Sequence, residues 1–295
     1  MGSVYAGILG DAGNEVWAVD VWAEHVEAIR ARGLTVEGAS GHRTVRINAT
    51  SDPAEVGVCD LVVIATKARD VEAAARAADP LVGPETVVLP IQNGLGSADR
   101  IAAVLGEEKV AIGVVGGFGA SIVGPGHVHH SGWELVRLGE RQGPATPRIH
   151  RIAKVWEAAG FRVRSYDDVD QLVWEKLICN VCFSGTCAIL GRTIREVLDD
   201  PPAWHVASRC AQEAYDVARA RGITLDIEDP IAYTRAFGER IPDARPSMLL
   251  DILAGRPCEI DVINGAIPPA AGEVGLTAPV NEVVTALVKA ISPIS

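Results

Sequence analysis

The sequence predicts an α/β protein in two parts: a parallel sheet wrapped by helices, then an all-helical half. Three observations predict it. Between residues 1 and 166, apolar runs of strand length alternate with helical patterns. Two of those runs end in polar residues, as buried parallel strands do at a ligand-binding edge. From residue 167 to 295 strand patterns vanish, and the helical half opens on an apolar helix carrying Lys176, Asn180 and Ser184. Four-residue spacing puts those three along one helix face.

Composition narrows the class. The chain has 295 residues, 48% of them hydrophobic, enough for a sizeable core. A net charge of -11 argues against nucleic acid or an anionic membrane as the main partner, though not against an anionic small molecule. No apolar run reaches about 18 residues and no basic-then-apolar leader opens the chain, so no membrane role is expected. Six cysteines, three within one helix, predict reduced thiols in a cytoplasmic protein. Cys179, Cys182 and Cys187 have a loosely metal-like spacing, but no histidine or further cysteine lies nearby, and helical burial accounts for them better.

The first half reads as follows. Residues 2–12 form a helix broken at Gly13 and feed the strand 15–20, which ends in Asp20. A helix, a glycine turn and a strand ending in an acid are the second part of a βαβ unit, the acid standing where ribose hydroxyls are held. Gly2 stands as the last glycine of a GxGxxG loop; the strand and the first two glycines expected before it are missing. Residues 23–31 are helical, and 34–47 make a β-excursion. The strand 59–64 ends at Thr66 and Lys67, and after the helix 71–78 the strand 86–91 ends at Gln92 and Asn93. All four polar residues fall at the carboxyl edge of a parallel sheet, although Asn93-Gly94 is also a common turn former. Residues 110–115 are a strand, 116–119 and 124–126 are turns, and 127–130 with 134–139 look like a hairpin. Alternation puts His127 and His129 on one face and His130 on the other, a poor arrangement for a metal. A helix over 147–159 and a strand over 161–164 complete a Rossmann-type dinucleotide-binding domain.

In the second half, helices follow at 171–190, 193–198, 204–221, 230–237 and 247–256. Asp229 and Ser247 stand as N-caps. Residues 259–267 are apolar yet carry Glu259, Asp261 and Asn264, and a last helix spans 281–290.

Taken together, Met1-Gly2, Thr66-Lys67, Ile91-Gln92-Asn93-Gly94-Leu95-Gly96, Trp174-Glu175-Lys176-Leu177 with Asn180, Ser247-Met248-Leu249-Leu250-Asp251, and Gly255-Arg256-Pro257-Cys258-Glu259-Ile260-Asp261 with Asn264-Gly265 resemble the ketopantoate reductases (2-dehydropantoate 2-reductases). The resemblance runs end to end. It implies a Rossmann-type domain plus an all-α domain, and hydride transfer from NADPH or NADH to a 2-oxo acid. The default substrate is 2-dehydropantoate, reduced to pantoate in pantothenate biosynthesis. By the resemblance, Lys176 is the general acid and Glu259 a second catalytic, substrate- and cofactor-holding carboxylate. Asn93, Asn180, Ser247 and Asn264 lie on the substrate side, with Ser184 where many members have a second asparagine. Gly2, Asp20, Thr66, Lys67 and Asn93 lie toward the cofactor. No metal is implied; a homodimer through the helical half is compatible with it.

The residue chemistry agrees. A carbonyl that accepts hydride becomes an alkoxide, and a lysine stabilises it and supplies a proton. Amides at Asn93 and Asn180 donate without charge, and Ser247 at a helix N-terminus suits an anion. Two departures change details. Ser184 predicts altered substrate contacts, so another branched or bulky 2-oxo acid is the rival substrate. Asp20-Val21-Trp22 has an acid and no nearby arginine, so it accepts from a 2′-hydroxyl and repels a 2′-phosphate, which predicts NADH used at least as well as NADPH. The absent first strand raises a further rival, an inactive nucleotide-binding paralogue.

Overall fold

The protein is described from a computed structural model, which covers residues 1–117, 119–132 and 135–292. The chain divides into two compact units. The first takes Met1–Gln92 and Ser97–Val169; the second takes Asn93–Gly96 and the chain from Asp170 onward. The division falls three residues beyond the expected 166/167 boundary. The excursion of Asn93–Gly96 into the second unit has no signature in the sequence.

In the first unit, α1 (Gly2–Asp11) leads to β1 (Trp17–Val19) and α2 (Ala23–Arg32). Then come β2 (Leu34–Gly38), β3 (Arg43–Val45), β4 (Asn48–Thr50) and β5 (Cys59–Ile64). They are followed by α3 (Val71–Ala77), β6 (Val82–Pro90), α4 (Ser97–Leu105) and β7 (Ala111–Val115). The unit ends with β8 (Ala120–Gly124), β9 (His127–His130), β10 (Leu135–Glu140), α5 (Pro147–Ala158) and β11 (Arg162–Ser165).

β5 and β6 pair in parallel, Leu61 opposite Val87 and Ile64 opposite Pro90, so both chains leave the sheet at the same edge. A parallel bridge from Val88 to Val110 carries β6 on to β7, which pairs antiparallel with β10, itself parallel to β11. β1 pairs in parallel with β4 as a separate two-stranded sheet. Among the described residues no strand joins β1 to β5. One core gathers Val4, Tyr5 and Ile8 of α1 and Ile149 and Trp156 of α5 with Val87 and Leu89 of β6. A second sets Val71 and Ala75 of α3 and Ile101 of α4 against Val88 and Ile64. Val87/Leu89 and Val88 lie on opposite faces by strand alternation, so this sheet has helices on both sides, as a doubly wound fold requires.

The expected hairpin of 127–130 with 134–139 is not formed. β9 pairs instead with β8 across the Pro125-Gly126 turn and with β2 in parallel, while β10 joins β7 and β11. Residues 120–123, which the sequence reading leaves unassigned between its two glycine turns, form β8 with Gly124 and complete the real hairpin by pairing antiparallel with β9. Glu134, expected to open β10, and Phe118 of the glycine turn lie outside the described residues. The histidine alternation stands as read: His127 and His129 approach Glu37 at 3.1 and 3.7 Å, while His130 is buried on the other face.

The second unit has no strands among its described residues. Its helices are α6 (Val169–Leu190), α7 (Ile194–Leu198), α8 (Pro201–Ala220), α9 (Pro230–Arg240), α10 (Ser247–Leu253), α11 (Ile267–Glu273) and α12 (Pro279–Ile291). α6 is long and apolar enough by composition to cross a membrane, contrary to the sequence estimate, but most of it is buried inside the protein, as in a core helix. Its thiols share that burial, which pushes Cys179 and Cys187 up to about 12. Residues 259–267, expected as one segment, are two 3₁₀ turns, Ile260–Val262 and Asn264–Ala266, which then run into α11.

Candidate active site

The cofactor-side residues gather around the start of α1. Gly2 opens the helix, and a Cβ there would stand 3.2 Å from the Cβ of Ala65, so the helix end packs tightly on the chain leaving β5. The Met1 carbonyl accepts from the N–H groups of Val4 and Tyr5. Its amine is pushed below the ordinary value by burial first and by the charge of Lys67 second, while Asp20 pulls the other way. Thus Lys67, just after β5, and Asp20, just after β1, both face the N-terminal end of α1. Asp20 continues the ladder through its N–H to Thr50 O at 3.1 Å, and its Oδ1 accepts from the Trp22 N–H at 2.9 Å. Thr66 and Lys67 are exposed, and the Thr66 and Ile64 carbonyls accept from Gln92 Nε2 at 3.1 and 2.7 Å. Gln92 therefore clamps the ends of β5 and β6 together.

These residues fit a dinucleotide. A helix N-terminus carries partial positive charge and donor N–H groups for phosphate, and a carboxylate at the end of β1 suits ribose hydroxyls. Behind the acid lies a group that sequence reasoning missed. Trp22 stacks on buried His25, with centroids 5.2 Å apart and planes 14° from parallel. His25 Nδ1 accepts from the Gly126 N–H at 3.0 Å, which in the neutral ring leaves the proton on Nε2, 3.1 Å from Ser3 Oγ. Burial, the largest influence, lowers the His25 pKa and favours that neutral form. The only sequence signal is Trp22 and His25 three residues apart at the start of α2.

The substrate-side residues all belong to the second unit. Along α6, Lys176 and Asn180 are half-buried and Ser184 is buried, so the stripe runs from an accessible end into the core. Neighbouring Glu175 is occupied, accepting from Gln171 Nε2 at 3.0 Å and the Asp226 N–H at 2.8 Å. Asn93 is half-buried in a loop tied down by the Leu95 N–H to Val262 O bond of 2.9 Å. Gly94 makes this possible: its φ is +81°, and a Cβ there would lie 2.0 Å from Val262 O. Half-buried Glu259 caps the turn that contains Val262. Asn93 and Glu259 are thus held on two segments joined by one bond.

Asn264 is placed differently from the expectation of a substrate contact. It is fully buried, and its Nδ2 donates to Val181 O at 2.9 Å and Asn281 Oδ1 at 3.0 Å. Asn281 in turn donates to Cys210 O and to the buried Glu213 carboxylate. Through its Nδ2, Asn264 fastens the Glu259 segment to α6 and α12, while its buried Oδ1 has no hydrogen-bond partner. Ser247 is exposed and is the first helical residue of α10, Pro246 holding the cap position expected for it. Arg256 closes the next turn, donating twice to buried Asp251 Oδ1 at 3.0 and 2.9 Å, and so fixes the approach to Glu259.

A doubly wound sheet, an acid ending the separate β1–β4 pair beside a helix N-terminus, and a helical unit with a half-buried lysine are the features expected of a nicotinamide-dependent oxidoreductase. Residues 1–143 match the family model described as ketopantoate reductase PanE/ApbA, and residues 168–292 match its C-terminal counterpart. The chain belongs to the ketopantoate reductase family and is an NAD(P)H-dependent oxidoreductase. It is similar to a PanE/ApbA family ketopantoate reductase from Ralstonia eutropha, at 33% identity and TM-score 0.88 over 97% of this chain and 93% of that one. A Streptococcus pyogenes 2-dehydropantoate 2-reductase is 28% identical over 98% of this chain and 94% of its own. A D-mandelate dehydrogenase solved with NADH and anilino(oxo)acetate is 28% identical, with TM-score 0.88 over 98% and 94% of the two chains.

Proposed function

We propose that this chain reduces a 2-oxo acid to the 2-hydroxy acid, with 2-dehydropantoate as the default substrate. The observation that carries this reading is the second unit's grouping: Lys176 and Asn180 on one face of α6, and Glu259 and Asn93 on segments bonded to each other. The bound nicotinamide nucleotide supplies the hydride. Lys176, half-buried beside apolar helix positions, holds its ammonium toward the carbonyl oxygen, stabilises the developing alkoxide and gives it a proton. Asn93 and Asn180 orient the carbonyl and its substituents through their amide N–H groups. Glu259 accepts from substrate or ribose hydroxyls. Gly2, Asp20, Thr66 and Lys67 hold the nucleotide, with Asp20 favouring a 2′-hydroxyl over a 2′-phosphate.

A second substrate reading has its own support. Ser184 is smaller than the asparagine of many relatives, and a structural neighbour is a D-mandelate dehydrogenase captured with NADH, so a bulkier 2-oxo acid is the rival. Steady-state assays of 2-dehydropantoate, benzoylformate and branched 2-oxo acids, each with NADH and NADPH, decide between them. The reading expects at least one acid to be reduced, with kcat/KM for NADH no lower than for NADPH. No turnover with any acid would remove it.

A further inference from the structure

Strand β11 leaves one edge of the first unit's sheet open. Among the described residues its only strand partner is β10. The Tyr166 N–H donates to Leu138 O at 2.8 Å, so the backbone of Tyr166 faces β10. Backbone groups alternate sides along a strand. Arg164 therefore also faces β10, while the N–H and C=O groups of Val163 and Ser165 face outward. Among the described residues nothing is hydrogen-bonded to them there. Such an edge is a template for a further strand.

The two faces beside this edge differ. Val163 packs on the core, so Arg162 and Arg164 project from the opposite face, where both are exposed. There Arg164 stands in register with Arg137 of β10, and like charges so placed repel. Arg137 donates to Leu135 O of its own strand at 3.4 Å, and none of the three arginines has an acidic partner among the described residues. Asp167, the next acid along the chain, accepts from the Ala145 N–H at 3.0 Å. On the α5 side lies an open groove of about 440 Å³, lined by His150, Ala153, Lys154, Glu157 and Ser165. Its charges are mixed, and Ala153 and Ser165 leave room for small side chains.

We propose that the open edge of β11 takes an extended segment of a partner protein as an added strand, with acidic residues at alternate positions and small uncharged residues between them. Arg162 and Arg164 repeat at about 6.6 Å, the spacing that also separates alternate side chains of an added strand. The acids meet the arginine row, the small residues enter the groove, and the backbone bonds to Val163 and Ser165. On a chain of net charge -11, this basic strip attracts an acidic partner that the rest of the surface repels. A second copy of the chain does not fit, because two β11 strands paired antiparallel about a two-fold axis set four arginines on one face.

The probe is the peptide acetyl-Glu-Thr-Glu-Thr-Glu-Thr-Glu-amide, titrated into the full chain by calorimetry at low salt. Three companion peptides separate the causes: one with Gln for every Glu, one with the same residues in blocks, and one N-methylated along its backbone. The alternating acidic peptide should bind about tenfold more tightly than any of the three. Changing Arg162→Gln and Arg164→Gln together should weaken it about tenfold and flatten its salt dependence. Ser165→Pro removes an outward N–H and no ladder bond, so it should also weaken binding about tenfold, while Ser165→Ala should not. Thermal melts check folding; if Ser165→Pro does not fold, the N-methylated peptide decides the part played by the backbone. No binding up to about 1 mM overturns the proposal. So does equal binding of the block or N-methylated peptide, or binding unchanged in the arginine variant. Equal displacement by tripolyphosphate also overturns it, by making the strip a general anion patch.

Discussion

The two units present their proposed functional groups in opposite ways. In the first, Asp20, Thr66 and Lys67 are exposed and sit where strands end; in the second, Lys176, Asn180 and Glu259 are half-buried on a helix and a turn. The contrast follows from the work. A dinucleotide is long and charged and is held by many separate contacts, several from backbone, so each side chain can remain in water. A proton donor to an alkoxide acts through a strong local field, which water would weaken. The lesson is that damage to the first unit should be graded and damage to the second steep.

The largest expected effect tests the steep side. Lys176→Ala should lower kcat by roughly 10²- to 10⁴-fold, the usual span for a general acid, while NADH affinity stays within about threefold. An unchanged kcat takes the lysine out of the mechanism. Next, Gly94→Ala forces a side chain into a left-handed φ and against Val262 O. It should cost about 3 kcal/mol of stability or more, read as a lower denaturant midpoint, and turnover should fall with it. A midpoint equal to wild type would mean that the 93–96 loop is not anchored as described. The graded side is tested by Asp20→Asn, which removes the repulsion of a 2′-phosphate. It should move the NADH/NADPH preference about tenfold toward NADPH, with kcat little changed.

The smallest effect concerns His25. Its folded pKa is lowered by burial, so the unfolded chain takes up the proton more readily. Stability is then complete above the unfolded value of about 6.5 and is lost as pH falls through it toward the folded value. Thermal melts should drop by roughly a few degrees from pH 7.5 to 5.5. His25→Asn keeps an acceptor for the Gly126 N–H without a titrating ring, so its melts should be flatter across that range. An identical slope in both proteins removes His25 as the cause.

Much of this was legible in the sequence because its causes are local. The apolar runs of β5 and β6, the helix–turn–strand leading to Asp20, and the four-residue spacing on α6 all report periodicities that the backbone imposes. What was not legible depends on partners distant in sequence. The β8–β9 hairpin was missed because β10 looked like an equally good partner for β9, and only the packed sheet chooses between them. Pro246 displaced Ser247 from the cap position, a one-residue matter that backbone angles decide. Asn264 looked like any polar residue in a binding segment, and its role is set by Val181 O and Asn281 on other helices. His25 carries no motif at all and stands out only by what surrounds it.

The return of Asn93–Gly96 to the second unit has a consequence for inheritance. The polypeptide crosses from one unit to the other after Gln92, comes back at Ser97, and crosses finally after Val169. A gene cut at residue 166 does not yield two cassettes. Its amino-terminal product carries a four-residue loop whose Leu95 N–H has lost its acceptor, and its carboxyl-terminal product leaves Val262 O bare. Exchange of either half with a relative must therefore bring along a matching loop or turn. Recombination inside this gene is constrained at a site well away from the apparent boundary.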